Sequence, residues 1–154
     1  MYGRILVPVD GSETSRLGLK EAIELAKSLR ARIRVVHIVN RLHSIASVEL
    51  AADMVQALVD QLRSSGECIL HDSVSAARAA AVEVDSRLIE AMGTEAGECI
   101  VEEATSWRAD LIVCGTHGRR GFRRVLMGSD AEYVLRRSPV PVLMVRAPGA
   151  AEQP

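Results

Sequence analysis

The chain has 154 residues, of which 48% are hydrophobic, 25% charged and only 3% aromatic. This size and composition are typical of one soluble globular domain with an aliphatic core. The formal net charge of −1 excludes a general nucleic-acid or membrane-surface binder, since such proteins have a broad basic excess. We therefore expect neither a nucleic acid nor a membrane among its partners.

Cysteine and histidine usage narrows the chemistry further. Cys68, Cys99 and Cys114 are odd in number and have no C-x-x-C spacing, which predicts free thiols in a reducing compartment. Neither they nor the four histidines have metal-ligand spacing, so no metal site is predicted. Because no charged-then-apolar segment opens the sequence, we expect no leader, and no apolar run approaches the ~20 residues of a membrane span. A cytoplasmic location is expected.

Hydrophobic patterns alternate between strand and helix along the whole chain. Apolar or β-branched runs predict strands at 5–9, 33–39, 81–90, 110–113 and 140–145. Helical spacing predicts helices at 13–30, about 46–80, 95–107 and 129–137. The segment 64–66, with two serines and a glycine, is predicted to interrupt the second helix. Such alternation predicts a single-domain, doubly wound α/β fold with five mainly parallel strands and helices on both faces.

A glycine-rich segment follows the fourth predicted strand. Its spacing is G-x2-G-x9-G-S, formed by Gly115, Gly118, Gly128 and Ser129. Glycine lets a backbone approach a ligand closely, and the amino end of the helix predicted from Ser129 would attract anions. Four arginines between the glycines would neutralise phosphate charge: Arg119, Arg120, Arg123 and Arg124. The segment therefore predicts a phosphate-binding loop, with a spacing that differs from the usual dinucleotide and P-loop motifs.

A second loop, at residues 8–12, follows the first predicted strand and reads Pro-Val-Asp-Gly-Ser. In open parallel sheets, ligands bind beyond the carboxyl ends of the strands, where the strand order reverses. Both loops leave strands at that edge, so we expect them to meet in one crevice. Asp10 or Ser12 would also serve as the N-cap of the first helix. For Asp10 two interpretations therefore stay open, a capping or turn residue and a residue that contacts the ligand.

With both loops in place, the chain resembles the universal stress proteins, which are small α/β proteins, many of which bind ATP. The resemblance covers residues 2 to about 146 and rests on five segments: 5–12, 36–38, 110–118, 128–129 and 139–145. It implies a Rossmann-like fold similar to the adenine nucleotide alpha-hydrolases, with a nucleotide-binding domain at 1–147 and a flexible C-terminal tail at 148–154. It also implies ATP as the ligand and Mg2+ held through the phosphates.

The resemblance implies a role for each matching residue. Pro8, Val9 and Asp10 would lie beside the adenosine, and the main chain of Ile38 would contact adenine. The ribose and phosphates would follow the glycine segment: Gly115, Thr116, Gly118 and Arg119, then Gly128, Ser129, Asp130 and Ala131. Position 130 is usually apolar in the family, so Asp130 departs from the pattern. Its charge would repel a triphosphate unless Mg2+ or the arginines intervene.

Several of these residues also have simpler interpretations. Ser129 and Glu132 form an S-x-x-E capping box, which would satisfy the helix amides without a ligand. The arginines would then be solvated loop residues. Cys114 is interpreted as a buried, inert thiol because its preceding neighbours are apolar. His37 is interpreted as a packed strand residue, and His117 as a solvated loop residue.

The predicted function is that of an ATP-binding regulatory protein of the stress response. It would have no catalytic residues and at most slow ATP hydrolysis, and it would act on an unidentified protein partner. Two alternatives stay open. An ATP-using enzyme of a related fold would have only Asp10, Asp130 and His117 as acid-base groups. A protein-interaction module that has lost nucleotide binding is the other.

The last predicted strand, at 140–145, is nearly continuous in apolar residues. Chain order places it at an edge of the sheet, and the resemblance implies that it meets the same strand of a second copy across a two-fold axis. An exposed apolar edge invites pairing with another chain. A homodimer is therefore predicted, with coverage of this edge by the tail from Ala147 as the alternative.

Overall fold

A computed structural model describes residues 2–40, 52–116 and 127–147 of the chain. Its five strands are β1 (Arg4–Pro8), β2 (Arg32–Asn40), β3 (Val84–Ala91), β4 (Leu111–Gly115) and β5 (Val142–Val145). Its four helices are α1 (Glu13–Leu29), α2 (Ala52–Ala79), α3 (Ala96–Ser106) and α4 (Ser129–Arg137). The predicted tail at 148–154 and the predicted start of the second helix near residue 46 lie outside the described residues.

The five strands form one sheet in the order β3-β2-β1-β4-β5. Every neighbouring pair is parallel, with Ile5 opposite Ile33 of β2 on one side and Leu111 of β4 on the other. The strand order reverses between β1 and β4, so the switch point lies between their carboxyl ends. The predicted doubly wound α/β fold is confirmed, and β5 is at a sheet edge as predicted.

Helices cover both faces of the sheet, which explains why the central strands are continuously apolar. On one face, Ile5, Val7 and Val35 pack with residues of α1 and α2 and are fully buried. On the other face, Leu6 and Ile112 pack with Val134 of α4 and with residues of α3. The sheet thus separates two aliphatic cores, and successive residues of β1 point into different ones.

A charged network joins α3 to β2 and β3 on the second face. The Glu103 carboxylate is 3% exposed and accepts hydrogen bonds from Arg34 Nη1 at 3.0 Å and Arg87 Nη1 at 2.7 Å. Arg34 also donates two hydrogen bonds to Asp85, and its guanidinium lies 4.9 Å from the centre of the Trp107 ring. The pKa of Arg34 is raised, chiefly by its hydrogen bonds to Asp85. Helical and strand periodicity alone did not predict this network.

The predicted interruption of the second helix is wrong, because α2 runs without a break from Ala52 to Ala79. Gly66 is buried where the helix crosses β2 and β3. A Cβ atom at this position would lie 2.6 Å from His37 Cδ2 and 2.8 Å from Leu88 Cδ1. The glycine therefore lets the helix approach the sheet closely and does not end it.

In the described part of the chain, no helix combines the length and apolar character that a membrane span requires.

We expect Gly66→Ala to lower the free energy of unfolding by roughly 1 kcal/mol. Overpacking of a core costs about 1 to 3 kcal/mol, and the better helix propensity of alanine offsets only about 1 kcal/mol of it. Chemical denaturation measures the change. Ser65→Ala is the matched control, since Ser65 is exposed on the same helix and its replacement should change stability by no more than about 0.5 kcal/mol. If Gly66→Ala were as stable as the parent, this close approach would be without energetic consequence.

Candidate functional site

The exit of β1 is attached to β2 through both main-chain polar groups of Val9. Its N–H donates to the carbonyl of Val36 at 2.8 Å, and its carbonyl lies 2.7 Å from His37 Nδ1. Because a carbonyl only accepts, Nδ1 has the proton and donates. His37 is 7% exposed, so the prediction of a packed strand residue is confirmed. Its link to Val9 was not predicted, although a histidine within an apolar strand often marks a specific polar contact.

The turn after β1 organises the amino end of α1. Asp10 Oδ1 accepts a hydrogen bond from Ser12 N at 2.9 Å, and Gly11 has a φ of 80°. The Ser12 hydroxyl accepts from Ser15 N at 3.2 Å and caps α1. Of the two residues proposed for the N-cap, Ser12 is thus the one that caps, and Asp10 holds the turn before it. The N-cap side chain of α1 thus satisfies one of its first amides, that of Ser15.

Gly115, the first glycine of the motif, is the last residue of β4 and lies against the first turn of α1. A Cβ atom there would be 2.8 Å from the carbonyl carbon of Thr14 and 2.9 Å from its oxygen. Its neighbour Thr116 is 6% exposed, donates from N to Val145 O at 2.9 Å, and accepts at O from Gly128 N at 3.0 Å. These contacts bring the β1 exit, the β4 exit and the start of α4 together.

The amino end of α4 differs from that of α1. The N-cap position is occupied by Gly128, which has no side chain, and Ser129 is the first helical residue. The capping-box interpretation is therefore wrong: the Glu132 carboxylate pairs with Arg136 at 2.8 Å, one turn further along. Glu132 N makes the first intrahelical hydrogen bond, to Gly128 O at 2.9 Å. The amides that precede it have no acceptor within the helix: Ser129, Asp130 and Ala131.

Asp130 makes a contact that the sequence did not predict. Its Oδ1 accepts a hydrogen bond at 3.0 Å from the N–H of Gly97, in the first turn of α3. The N-cap residue of that helix, Glu95, makes no capping hydrogen bond with its side chain. Asp130 therefore caps α3 from a neighbouring helix, and its carboxylate lies between two helix amino ends.

The last β2 residue that pairs with β1 is Val36, opposite Pro8. Ile38 follows two residues later and therefore lies beyond the end of β1. It pairs with Ile89 of β3 and is partly buried on the face covered by α3 and α4. This places its main chain at the same sheet edge as Val9 and Thr116. Two predicted binding residues, Gly118 and Arg119, lie outside the described residues, as do His117 and the other three arginines of the loop.

Cys114 ends the apolar part of β4 beneath this edge. It is 5% exposed, its Sγ lies 3.3 Å from Met144 Sδ, and burial raises the pKa of its thiol to about 11. A thiol with such a pKa stays protonated at neutral pH, so the prediction of an inert cysteine is confirmed. Within residues 2–40, 52–116 and 127–147, no three His, Cys, Asp or Glu side chains cluster as a metal site would need.

These elements meet at the switch point of the sheet, where a crevice is expected, with the free amides of α4 on one side and the β1 exit on the other. Residues 1–146 match the universal stress protein family. The chain belongs to this family. It is 35% identical over 149 residues to universal stress protein MJ0531 of Methanocaldococcus jannaschii, a match that covers 96% of this chain and 84% of the relative.

Solved structures share the fold of this universal stress protein. Protein MJ0577 of Methanocaldococcus jannaschii superposes with a TM-score of 0.84 at 23% identity, covering 97% of this chain and 99% of the other. A universal stress protein solved in complex with cAMP superposes with a TM-score of 0.67 at 25% identity, covering 94% of this chain and 97% of the other. The match in both cases spans nearly the whole domain, so the topology around the crevice is shared.

We expect the glycines of the motif to differ in their effect on stability without any ligand. Gly115→Ala should lower the free energy of unfolding by about 1 to 3 kcal/mol, because the new methyl group would overlap the backbone of Thr14. Gly128→Ala is the control and should cost no more than about 1 kcal/mol, the difference between glycine and alanine at an N-cap. Urea denaturation of the nucleotide-free proteins measures both. Equal stability of Gly115→Ala and the parent would show that α1 can shift away from β4.

Proposed function

We propose that this universal stress protein binds an adenine nucleotide in the crevice, with its phosphates at the amino end of α4. The observation that supports this most is the first turn of α4, where three amides have no intrahelical acceptor and the N-cap residue has no side chain. Free amides and the positive end of the helix dipole favour an anion there. By contrast, Ser12 already caps α1, so the two helix ends at this edge have different roles.

The adenosine would lie beside the β1 exit. Val9 has its N–H and carbonyl engaged with Val36 and His37, which holds Pro8 and Asp10 in place on either side of it. Adenine would then contact the main chain of Ile38, as the family resemblance implies. A member of the family has been solved with cAMP, which supports the adenine nucleotide class for this crevice.

Within that class, we propose ATP, with Mg2+ held through its phosphates. The spacing G-x2-G-x9-G-S, from Gly115 to Ser129, is the feature of this chain that the resemblance connects with ATP. The amides of Ser129, Asp130 and Ala131 would bind phosphate oxygens, and Gly118 and Arg119 would complete the phosphate side. Mg2+ would supply charge neutralisation between phosphate groups.

The role that follows is regulatory and not catalytic: a cytoplasmic stress-response protein that presents a nucleotide-dependent surface to a protein partner. Two of the three acid-base groups of the enzyme alternative already have structural partners. The Asp10 carboxylate accepts from Ser12 N, and the Asp130 carboxylate accepts from Gly97 N. General acid-base catalysis needs a group free to reach the substrate, so we propose at most slow hydrolysis of ATP.

We expect Mg-ATP to stabilise the folded protein. At a concentration about 100 times the dissociation constant, a ligand adds about 2.7 kcal/mol, which should raise the melting temperature by roughly 5 to 10 °C for a domain of this size. Scanning fluorimetry with and without Mg-ATP measures the shift, and a phosphate-release assay on the same samples tests for turnover. No shift at millimolar Mg-ATP would contradict nucleotide binding, whereas rapid multiple turnover would favour the enzyme alternative.

Gly128→Val should abolish that shift while leaving the protein folded, because a branched side chain at the N-cap of α4 would occupy the space the phosphates need. Leu135→Ala is a control on the same helix, since Leu135 is 48% exposed and lies in its last turn, away from the amino end. It should keep the full shift. Calorimetric titration of both variants with ATP decides the matter, and normal affinity of Gly128→Val would place the phosphates elsewhere.

We also propose a homodimer through β5. The strand pairs with β4 on one side only and forms the border of the sheet. Val142 and Met144 are partly buried and pack towards α3 and α4, whereas Leu143 is 36% exposed. Strand pairing across a two-fold axis would bury Leu143 against the same strand of a second copy.

Sedimentation velocity at about 50 µM should show a dimer, and Leu143→Asp should weaken its association at least tenfold by placing two like charges in the interface. Leu135→Asp is the control, because that side chain is exposed on α4 and not on the strand. A monomeric parent protein would refute the dimer. A dimer as stable in Leu143→Asp as in the parent would place the interface on another surface.

A further inference from the structure

We infer that Asp130 is a specificity-determining residue of the crevice, which lowers the preference for nucleotides with more phosphate groups. The inference rests on the proposed nucleotide site and asks which adenine nucleotides it favours. Asp130 is the second residue of α4, so its charge lies within the turn whose amides would receive the phosphates. Its position is half-buried, where solvent screens a charge less than at a fully exposed site.

The contact with Gly97 fixes where that charge is. Asp130 Oδ1 accepts the amide hydrogen of Gly97 at 3.0 Å, so the carboxylate is held beside α3 and is not free to turn away into solvent. The partner is a neutral amide. Among the described residues Asp130 has no cationic partner, whereas Glu132 in the same turn pairs with Arg136. Of these two carboxylates, that of Asp130 is therefore the one left unneutralised by a described cation and able to act on a ligand at this helix end.

The charge of Asp130 also acts on a neighbouring thiol. The pKa of Cys99, in the first turn of α3, is raised by burial and by the negative charges of Glu102, Glu98 and Asp130. The helix amides remain able to bind a phosphate beside the charge of Asp130. Each further phosphate adds negative charge, so the electrostatic gain from the helix end is offset more for ATP than for AMP.

One substitution separates the effect of the Asp130 charge on the ligand from the role of Asp130 as the cap of α3. Asp130→Asn keeps a carbonyl oxygen that can accept from Gly97 N and removes the charge, whereas Asp130→Ala removes both. The dissociation constants of AMP, ADP and ATP would be measured by calorimetry for both variants and the parent protein, with and without Mg2+. In Asp130→Asn we expect the affinity for ATP relative to AMP to rise about threefold to tenfold, with ADP between them.

Three controls make the result specific. Asp72→Asn makes the same change in net charge on α2, at an exposed side chain, and should leave the ratio unchanged. Asp130→Ala should shift the ratio as Asp130→Asn does and also lower the melting temperature, because α3 loses its cap. Raising the salt concentration to about 0.5 M should shrink part of the difference between the parent and Asp130→Asn, since the Debye length then falls to about 4 Å and Asp130 is only half-buried.

An unchanged ratio in Asp130→Asn would overturn the inference and leave the proposed function standing. Weaker binding of Mg-ATP in Asp130→Asn, with AMP unaffected, would also overturn it, because Asp130 would then help to hold Mg2+. If none of the three nucleotides bound the parent protein or Asp130→Asn, the proposed function and the inference would both be refuted.

Discussion

The parallel pairing of β1 with β4 is the contact on which the geometry of the crevice depends. Ile5 and Leu6 of β1 lie opposite Leu111 and Ile112 of β4, although about a hundred residues separate the strands in the chain. This pairing places the carboxyl ends of two strands with opposite winding directions side by side. The loops that leave them must diverge to different faces, and a crevice between them is the result.

Close packing of helices then shapes that crevice. The first turn of α1 lies so near β4 that a side chain at Gly115 would overlap Thr14, and the hydrogen bond from Gly128 to Thr116 attaches the start of α4 to the same strand end. The two glycines therefore have different physical roles within one motif. Gly115 permits helix packing, whereas Gly128 leaves the amino end of α4 uncapped.

Charged groups stabilise each end of α3 by different means. Near its carboxyl end, buried Glu103 is held by Arg34 and Arg87, and a buried acid of this kind is tolerated only when its charge and hydrogen bonds are satisfied. At its amino end, the cap comes from Asp130 on α4. The acidic side chain at position 130 thus has a structural role, and its charge is retained beside the proposed phosphate position.

Periodicity and turn chemistry were enough to determine the α/β class, the order of the nine described elements and the buried state of Cys114 and His37, because each of these follows from local burial patterns. The edge position of β5 followed from chain order. Which side chains cap which helix was decided only by tertiary structure. The sequence of α4 contains a capping box, yet Ser129 lies inside the helix and Asp130 caps a different one. Likewise, the sequence around Gly66 predicts a helix break, whereas in the structure the helix continues and passes close to His37 of β2 and Leu88 of β3. Local preference is worth about 1 kcal/mol at such positions, and packing against a distant element outweighs it.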